Sequence, residues 1–171
     1  MRKSPLIILG SARRNSDTEK FVHKVFKEPE YSLVDLLDFE IAPYNYEGSY
    51  PETDDFYRII ETILAHRVIV FATPVYWYSM SAIMKNFFDR LTDLVTVKKE
   101  YGRKLKGKKV FLIAVGADPA LPDGFQVPFQ LTAAYLGMDF QANIYHSVKA
   151  VDPEEEALQL KTFTSQIAAA L

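Results

Sequence analysis

Short apolar runs that do not alternate with polar residues constrain this fold more than any other feature of the sequence. The runs PLIILG, RVIVFAT and KVFLIAVG occupy residues 5–10, 67–73 and 109–116, without the period of two expected of a half-exposed strand. Strands buried on both faces are typical of parallel sheets covered by helices. The segments YSLVDLL (31–37) and FQANIYHSV (140–148) predict two further strands.

The segments between these runs carry apolar residues at helical spacing. They predict helices over residues 17–27, 54–65, 80–95, 125–137 and 154–170. Helix starts are marked by a capping box at residues 16–19 (SDTE), by Thr53 before two aspartates, and by Asp152 before Pro153. Because strand and helix alternate five times, we expect a doubly wound α/β sheet with right-handed crossovers, in one domain spanning residues 1–171.

Composition excludes several classes of function. The net charge of -2 provides no field that would attract nucleic acid or a membrane surface. The chain has no cysteine, so disulfides, thiolate zinc sites and a cysteine nucleophile are excluded, and a cytoplasmic location is expected. The three histidines lie far apart, which predicts no metal site. The N-terminal apolar run of about five residues is too short for a signal sequence or a membrane span.

The loop after the first strand, GSARRNSDT at residues 10–18, lies where such sheets bind their ligands. A single glycine makes neither a P-loop nor a dinucleotide fingerprint. Hydroxyls on Ser11, Ser16 and Thr18, the free N–H groups of a helix start and the charge of Arg13 suit a phosphate. A solvated turn in which Ser16 simply caps the helix explains the same residues, so both interpretations stay open at this point.

The loop after the third strand, which opens the segment TPVYWYSMSAIMKNFFDRL (73–91), carries three consecutive aromatic residues at positions 76–78. Aromatics beside a strand end suit contact with a flat ring, and a small satellite core beneath the loop is the alternative. Ser79 or Ser81 is expected to cap the next helix. After the fourth strand, Gly116 permits close approach of the backbone to a ligand.

Two other stretches carry weaker signals. Residues 38–53 form a long irregular segment with three tyrosines, and loops of this length are often functional or else a surface cover. Residues 98–109 carry seven basic residues against one acid; we interpret them as a solvated connection, with a nucleic-acid patch or a resting place for an anionic cosubstrate as alternatives. The loops at the strand ends provide binding groups but no acid–base set, so any chemistry would belong to a cofactor.

The two loops together resemble the flavodoxin-like NAD(P)H-dependent FMN reductase family. GSARRNSDT is similar to the phosphate loop of that family, G-S-x-R-x-x-S-x-N, with Thr18 in place of the asparagine. The 73–91 segment is similar to its flavin loop and following helix, P-x-Y-x-x-S-M-x-x-x-L-K-N-x-x-D-R, with Ala82 where glycine is common. The resemblance extends from the first predicted strand to the fifth, and it implies a three-layer sandwich whose five-stranded parallel sheet has the order 2-1-3-4-5.

The resemblance also implies a binding site for one non-covalent FMN. The residues expected to hold the phosphate are Ser11, Arg13, Asn15, Ser16, Asp17 and Thr18. The residues expected around the isoalloxazine are Pro74, Val75, Tyr76, Trp77, Tyr78, Ser79, Met80 and Gly116. No catalytic side chain is implied, and Arg14 has no counterpart in the motif, so we expect it to be solvated.

The activity implied is that of an FMN-dependent NAD(P)H oxidoreductase, in which NAD(P)H stacks on the flavin and passes hydride to it. The second substrate would be a small molecule such as a quinone, a free flavin, an azo compound or a metal ion. An electron-transfer protein that binds FMN without oxidising NAD(P)H is the alternative. The resemblance implies a homodimer or homotetramer, and we expect the apolar face of residues 83–95 and the tyrosines at positions 44, 46 and 50 to form its interface.

Overall fold

The structure, a computed structural model, describes residues 4–26 and 31–171. Five parallel strands form one sheet in the order β2-β1-β3-β4-β5, as predicted. The strands are β1 (Leu6–Leu9), β2 (Ser32–Asp35), β3 (Val68–Pro74), β4 (Lys109–Gly116) and β5 (Asp139–Ser147). Every residue of β1 and β3 is buried, which explains why their sequences do not alternate.

Helices cover both faces of the sheet. They are α1 (Asp17–Val25), α2 (Phe56–Leu64), α3 (Ala82–Arg90), α4 (Asp93–Thr96), α5 (Lys99–Lys104), α6 (Val127–Tyr135) and α7 (Pro153–Ala170). One core packs α2, α3 and α6 against the sheet, and the other packs α1 and α7 against the opposite face. The predicted three-layer sandwich is therefore confirmed, and no described helix is long and apolar enough to cross a membrane.

Several predicted element bounds were too generous. The second predicted strand, residues 31–37, ends at Asp35 in the structure. The Asp35 carboxylate accepts a hydrogen bond from the N–H of Leu37 and starts a 3₁₀ turn over Leu36–Asp38. The predicted helix over 80–95 is interrupted after Arg90, and a short second helix, α4, begins at Asp93. The predicted 17–27 helix ends at Val25, and its last predicted residue lies outside the described part of the chain.

The basic stretch 98–109 is more ordered than a solvated connection. It contains the helix α5, and Lys108 is only 4% exposed. The Lys108 ammonium donates to the carbonyls of Leu64 (3.0 Å) and His66 (2.5 Å) at the end of α2, and burial lowers its pKa. Lys108 therefore caps a helix rather than facing solvent, and for this residue the prediction of a solvated connection was wrong.

A buried arginine at the end of α3 holds the long segment that precedes α2. Arg90 has no exposed surface, and its Nη1 donates to the carbonyl of Ala42 (2.9 Å) and to Asp54 Oδ2 (2.7 Å). Its Nε donates to Asp93 Oδ2 (2.9 Å), and the Tyr50 ring lies 3.3 Å from the guanidinium carbon. One side chain thus fastens both ends of an otherwise irregular segment to α3.

Packing within the chain accounts for part of the face that the sequence suggested as an interface. Met84 and Phe87 have no exposed surface and Leu94 is 1% exposed, because all three pack in the core of the chain itself. Tyr50 belongs to the arginine cluster, whereas Tyr46 is 96% exposed. Much of the apolar pattern of residues 83–95 therefore reflects burial within one chain, while Ile83 and Val95 remain partly exposed.

Candidate functional site

Three loops meet where the carboxyl ends of the central strands lie side by side. The N–H of Gly10, which follows β1, donates to the carbonyl of Ala72 in β3 (2.8 Å). The N–H of Val75, which follows β3, donates to the carbonyl of Val115 in β4 (2.7 Å). The structure thus brings the two predicted loops and Gly116 to one edge of the sheet, at the switch point of strand order, where such folds bind ligands.

The first loop, residues 10–18, exposes the free N–H groups of α1 and holds buried hydroxyls. Ser16 caps α1 by accepting from the N–H of Glu19 (3.2 Å), so the predicted cap is confirmed. Ser11 and Thr18 are each 1% exposed. The Ser11 Oγ has no hydrogen-bond partner among the described residues. A buried hydroxyl without a partner is costly, and an anion at the start of α1 would supply one.

The two adjacent arginines of this loop have different environments. The Arg13 guanidinium is 69% exposed and lies 3.6 Å from Asp17. The Arg14 guanidinium donates to Asp38 Oδ1 (2.5 Å) and lies 3.8 Å from Asp35. Arg14 therefore ties the loop to the turn after β2, and our expectation that it is merely solvated was wrong. Arg13 is the arginine that is left available to a ligand.

The second loop makes a tight turn with aromatic residues at its tip. Tyr76 and Ser79 exchange two backbone hydrogen bonds (2.9 and 3.0 Å), and Trp77 and Tyr78 between them have φ values of +48° and +63°. Positive φ at both central positions defines a type I′ turn, which normally requires glycine or asparagine. The turn presents Trp77 at 93% and Tyr78 at 69% exposure, which excludes the predicted alternative of a satellite core beneath the loop.

Ser81 connects the two loops. Its Oγ donates to the carbonyl of Gly10 (2.6 Å) and accepts from the N–H of Met84 (3.2 Å), while its own N–H donates to Thr73 Oγ1 (3.1 Å). Of the two serines predicted as possible caps of α3, Ser81 is the N-cap residue. The sequence suggested the cap but contained no signal for the bond to Gly10, which depends on the pairing of β1 with β3.

Gly116 lies against a side chain that the sequence did not single out. A methyl group added at Gly116 would come within 2.7 Å of the Tyr145 hydroxyl and 3.2 Å of Val75 Cβ. That hydroxyl donates to the carbonyl of Asp118 (2.8 Å) and so holds the loop that follows β4. Burial raises the pKa of Tyr145, and it remains a hydrogen-bond donor. Close packing, rather than a left-handed backbone conformation, explains why position 116 is a glycine.

Comparison with known proteins decides the family. The family profile described as NADPH-dependent FMN reductase matches residues 5–145. The chain belongs to this family. YwqN of Bacillus subtilis, named as a candidate NAD(P)H-dependent FMN-containing oxidoreductase, is 27% identical over 81% of this chain and 81% of its own. An FMN-dependent NADH:quinone oxidoreductase of Burkholderia thailandensis is 29% identical over 65% of this chain and 60% of its own.

Solved structures share the fold. The Trp repressor binding protein from Bacillus subtilis has a TM-score of 0.69 and 24% identity, covering 98% of this chain and 99% of its own. An FMN-dependent NADH-azoreductase from Bacillus anthracis in complex with FMN has a TM-score of 0.64 and 14% identity, covering 96% and 99% of the two chains. The predicted family, flavodoxin-like fold, enzyme class and cofactor are confirmed: the chain is an NAD(P)H-dependent FMN oxidoreductase.

The loop chemistry fits this cofactor. The Ser11 hydroxyl, which has no partner within residues 4–26 and 31–171, and the start of α1 suit a phosphate. The exposed rings of Trp77 and Tyr78 suit a flat ring system. No group of three or more metal-ligating side chains occurs among the described residues. Membership of the family accounts for FMN as the cofactor. The hydrogen-bond donors at the sheet edge are of the kind that a flavin nucleotide needs.

Proposed function

We propose that the chain binds one FMN across the three strand-end loops and uses NAD(P)H to reduce a small acceptor such as a quinone. The single observation that carries this placement is the Ser11 hydroxyl in the loop before α1, which is buried without a hydrogen-bond partner among the described residues. Burying a donor unpaired costs about 1–3 kcal/mol, and phosphate oxygens would satisfy it.

In this proposal the first loop binds the phosphate. Ser11, Ser16 and Thr18 provide hydroxyls, Asn15 and Asp17 provide backbone N–H groups, and Arg13 provides the opposing charge; these are the phosphate residues carried over from the family motif. The Ser16 hydroxyl can donate to phosphate while its oxygen accepts from the N–H of Glu19, because a hydroxyl both donates and accepts. Capping and phosphate binding are thus compatible in one residue.

The second and third loops would surround the ring system. The residues assigned this role are Pro74, Val75, Tyr76, Trp77, Tyr78, Ser79, Met80 and Gly116. Bound FMN would supply hydride transfer, and the chain would supply position and a shaped, partly apolar wall. Because the chemistry of hydride transfer would come from the bound cofactor, we assign no catalytic acid or base to the chain.

The acceptor, the assembly and the location belong to the proposal. A quinone is favoured because the Burkholderia relative is named an NADH:quinone oxidoreductase, and because Trp77 and Tyr78 offer exposed flat surfaces. We retain a homodimer or homotetramer, whose interface would not include the residues of 83–95 that are fully buried, such as Met84 and Phe87. A cytoplasmic location is consistent with a chain that lacks cysteine.

Exchange of Arg13 tests the phosphate loop. Arg13→Ala removes a charge-assisted hydrogen bond worth roughly 1.5–3 kcal/mol, so FMN affinity should fall about tenfold or more. Arg14→Ala is the matched control, since that arginine is similarly exposed (62% against 69%) but bound to Asp38, and FMN affinity should change far less. Fluorescence quenching of FMN measures both. Equal losses in the two variants, or none in Arg13→Ala, would contradict the assignment.

A second assay separates an oxidoreductase from an electron carrier. Purified FMN-loaded protein is mixed with NADH or NADPH, and absorbance at 340 nm is followed with and without a quinone. The proposal expects oxidation of the nucleotide that accelerates with the quinone. Nucleotide oxidation that no quinone accelerates would remove the proposed acceptor while leaving the family assignment intact.

A further inference from the structure

Helix α6 lies on the surface but has no charged face. Residues 124–138, which contain it, include no aspartate, glutamate, lysine or arginine. Leu131 is 66% exposed and Tyr135 is 78% exposed. The exposed positions of the helix are Val127, Pro128, Leu131, Ala134 and Tyr135. A helix that is apolar all round is typical of one covered by protein on both sides, so this face has the composition of an interface.

The exposed side of α6 borders an apolar groove of about 300 Å³. Its other wall comes from α3 and from the residues that follow it, up to Val95. The apolar residues that line it are Phe88, Leu91, Val95, Leu131, Tyr135 and Leu136. The remaining two, Thr92 and Thr132, are uncharged as well. With no charge in its lining, the groove offers nothing to recognise an ion or a charged peptide, and it suits an apolar protein surface.

The exposed residues of α6 are spaced so that the helix complements a second copy of itself. Val127, Leu131 and Tyr135 follow one another at intervals of four residues and therefore form one ridge along the helix. Ridges of this spacing are the ones most often used in helix packing. A two-fold axis at Leu131 would pair two α6 helices antiparallel, with the small Val127 of each facing the large Tyr135 of the other. This match needs an identical helix, which favours a second copy over an unrelated partner.

We propose that two copies of this chain associate by packing α6 against α6 about a two-fold axis at Leu131, and so cover both grooves. The inference rests on the homodimer of the proposed function, and it identifies the surface that joins the two copies. It uses none of the residues assigned to FMN. Val95, which lies in the groove and is partly exposed, is the part of the 83–95 face that contributes to this surface.

Because the chain has no cysteine, single cysteine variants test this arrangement directly. A residue on a two-fold axis lies next to its own counterpart, so Leu131→Cys should form a disulfide-linked dimer under mild oxidation, in the full chain with FMN added. Leu158→Cys is the matched control, because Leu158 on α7 is also 66% exposed. Its neighbours along α7 include Glu155 and Lys161, which give that helix a solvated face, so Leu158→Cys should stay monomeric on a non-reducing gel.

A second pair of variants tests the direction of packing. In an antiparallel arrangement, Val127→Cys mixed with Tyr135→Cys should cross-link more than either variant alone. If the two helices packed parallel, each variant would instead cross-link best with itself, and the proposed two-fold axis would be wrong.

The mass in solution tests whether this surface holds the dimer together. Light scattering should give the unmodified chain twice the 19.5 kDa mass of one copy. Leu131→Glu places two like charges at the axis and should raise the dissociation constant of the dimer at least about a hundredfold, since the change occurs twice in one interface. Leu158→Glu should leave the mass unchanged. Urea unfolding shows whether each variant folds, and cross-linking of Leu131→Cys decides if Leu131→Glu does not.

Two results would overturn the inference, and FMN titration of the same samples separates both from a failure to bind the cofactor. An unmodified chain that is monomeric would remove the homodimer as well, and would leave this face to a different protein. A dimer in which Leu131→Cys cross-links no more than Leu158→Cys, or which Leu131→Glu leaves intact, would keep the homodimer and place its interface elsewhere.

Discussion

Replacing Ser81 with alanine should destabilise the chain and weaken FMN binding together, because Ser81 bonds to both loops. Its Oγ caps α3 at the N–H of Met84 and donates to the carbonyl of Gly10 (2.6 Å), and Ser81 is 1% exposed. Loss of a helix cap costs typically about 1 kcal/mol. A buried carbonyl left without its donor adds about 1–3 kcal/mol. The expected loss of unfolding free energy is therefore about 2–4 kcal/mol.

The assay is urea unfolding of the apoprotein, followed by FMN titration of the folded variant. Without its bond to Ser81, Gly10 keeps only the bond from its N–H to Ala72 and holds the start of the phosphate loop less firmly, so FMN affinity should fall by about tenfold, equivalent to 1.4 kcal/mol. Ser49→Ala is the control, because Ser49 is exposed and takes part in the structure through its backbone carbonyl. A loss below about 1 kcal/mol, or an FMN affinity equal to that of the control, would refute the reasoning.

Three other predictions concern the arginine cluster and the aromatic turn. Arg90→Met leaves the buried carboxylates of Asp54 and Asp93 without their cation and should cost about 3–5 kcal/mol in urea unfolding; adding Asp54→Asn should recover part of this. Burial raises the pKa of Asp54, but the Arg90 hydrogen bonds outweigh it and the pKa is lowered. Its stabilisation is therefore complete above about pH 4 and lost as pH falls below it, so the stability of Asp54→Asn should depend less on acid. Trp77→Asn places a residue that tolerates positive φ in the type I′ turn, and should raise stability by about 0.5–1 kcal/mol while weakening FMN binding.

The fold was predictable because burial on both faces leaves a direct trace in sequence. Five apolar runs and the helical segments between them were sufficient for the sheet, and the loops at the strand ends followed from that sheet. The predictions that were wrong concern where helices and strands end and which side chains are buried. The apolar pattern of residues 83–95 has the same appearance whether the face packs inside one chain or against another, and only the contacts of Met84 and Phe87 distinguish the two.

Contacts between residues far apart in the sequence could not be predicted either. Arg14 and Asp38 are 24 positions apart, and nothing in either local sequence indicates that they pair. The same applies to Tyr145, which touches the loop after β4 only because β5 lies beside β4. Residues that act locally, such as the cap at Ser16, were identified from their spacing, while residues that act through strand pairing required the structure.

The strained turn is understandable as part of a site whose chemistry belongs to its cofactor. Two non-glycine residues in the left-handed region cost roughly 1–2 kcal/mol each, and the exposed rings of Trp77 and Tyr78 gain little burial in return. A chain selected for stability alone would place asparagine and glycine there. In the proposed site, the three loops would influence the reaction through position and contact surface. The aromatic turn is where this chain would give up stability for a surface that a flat ligand can contact.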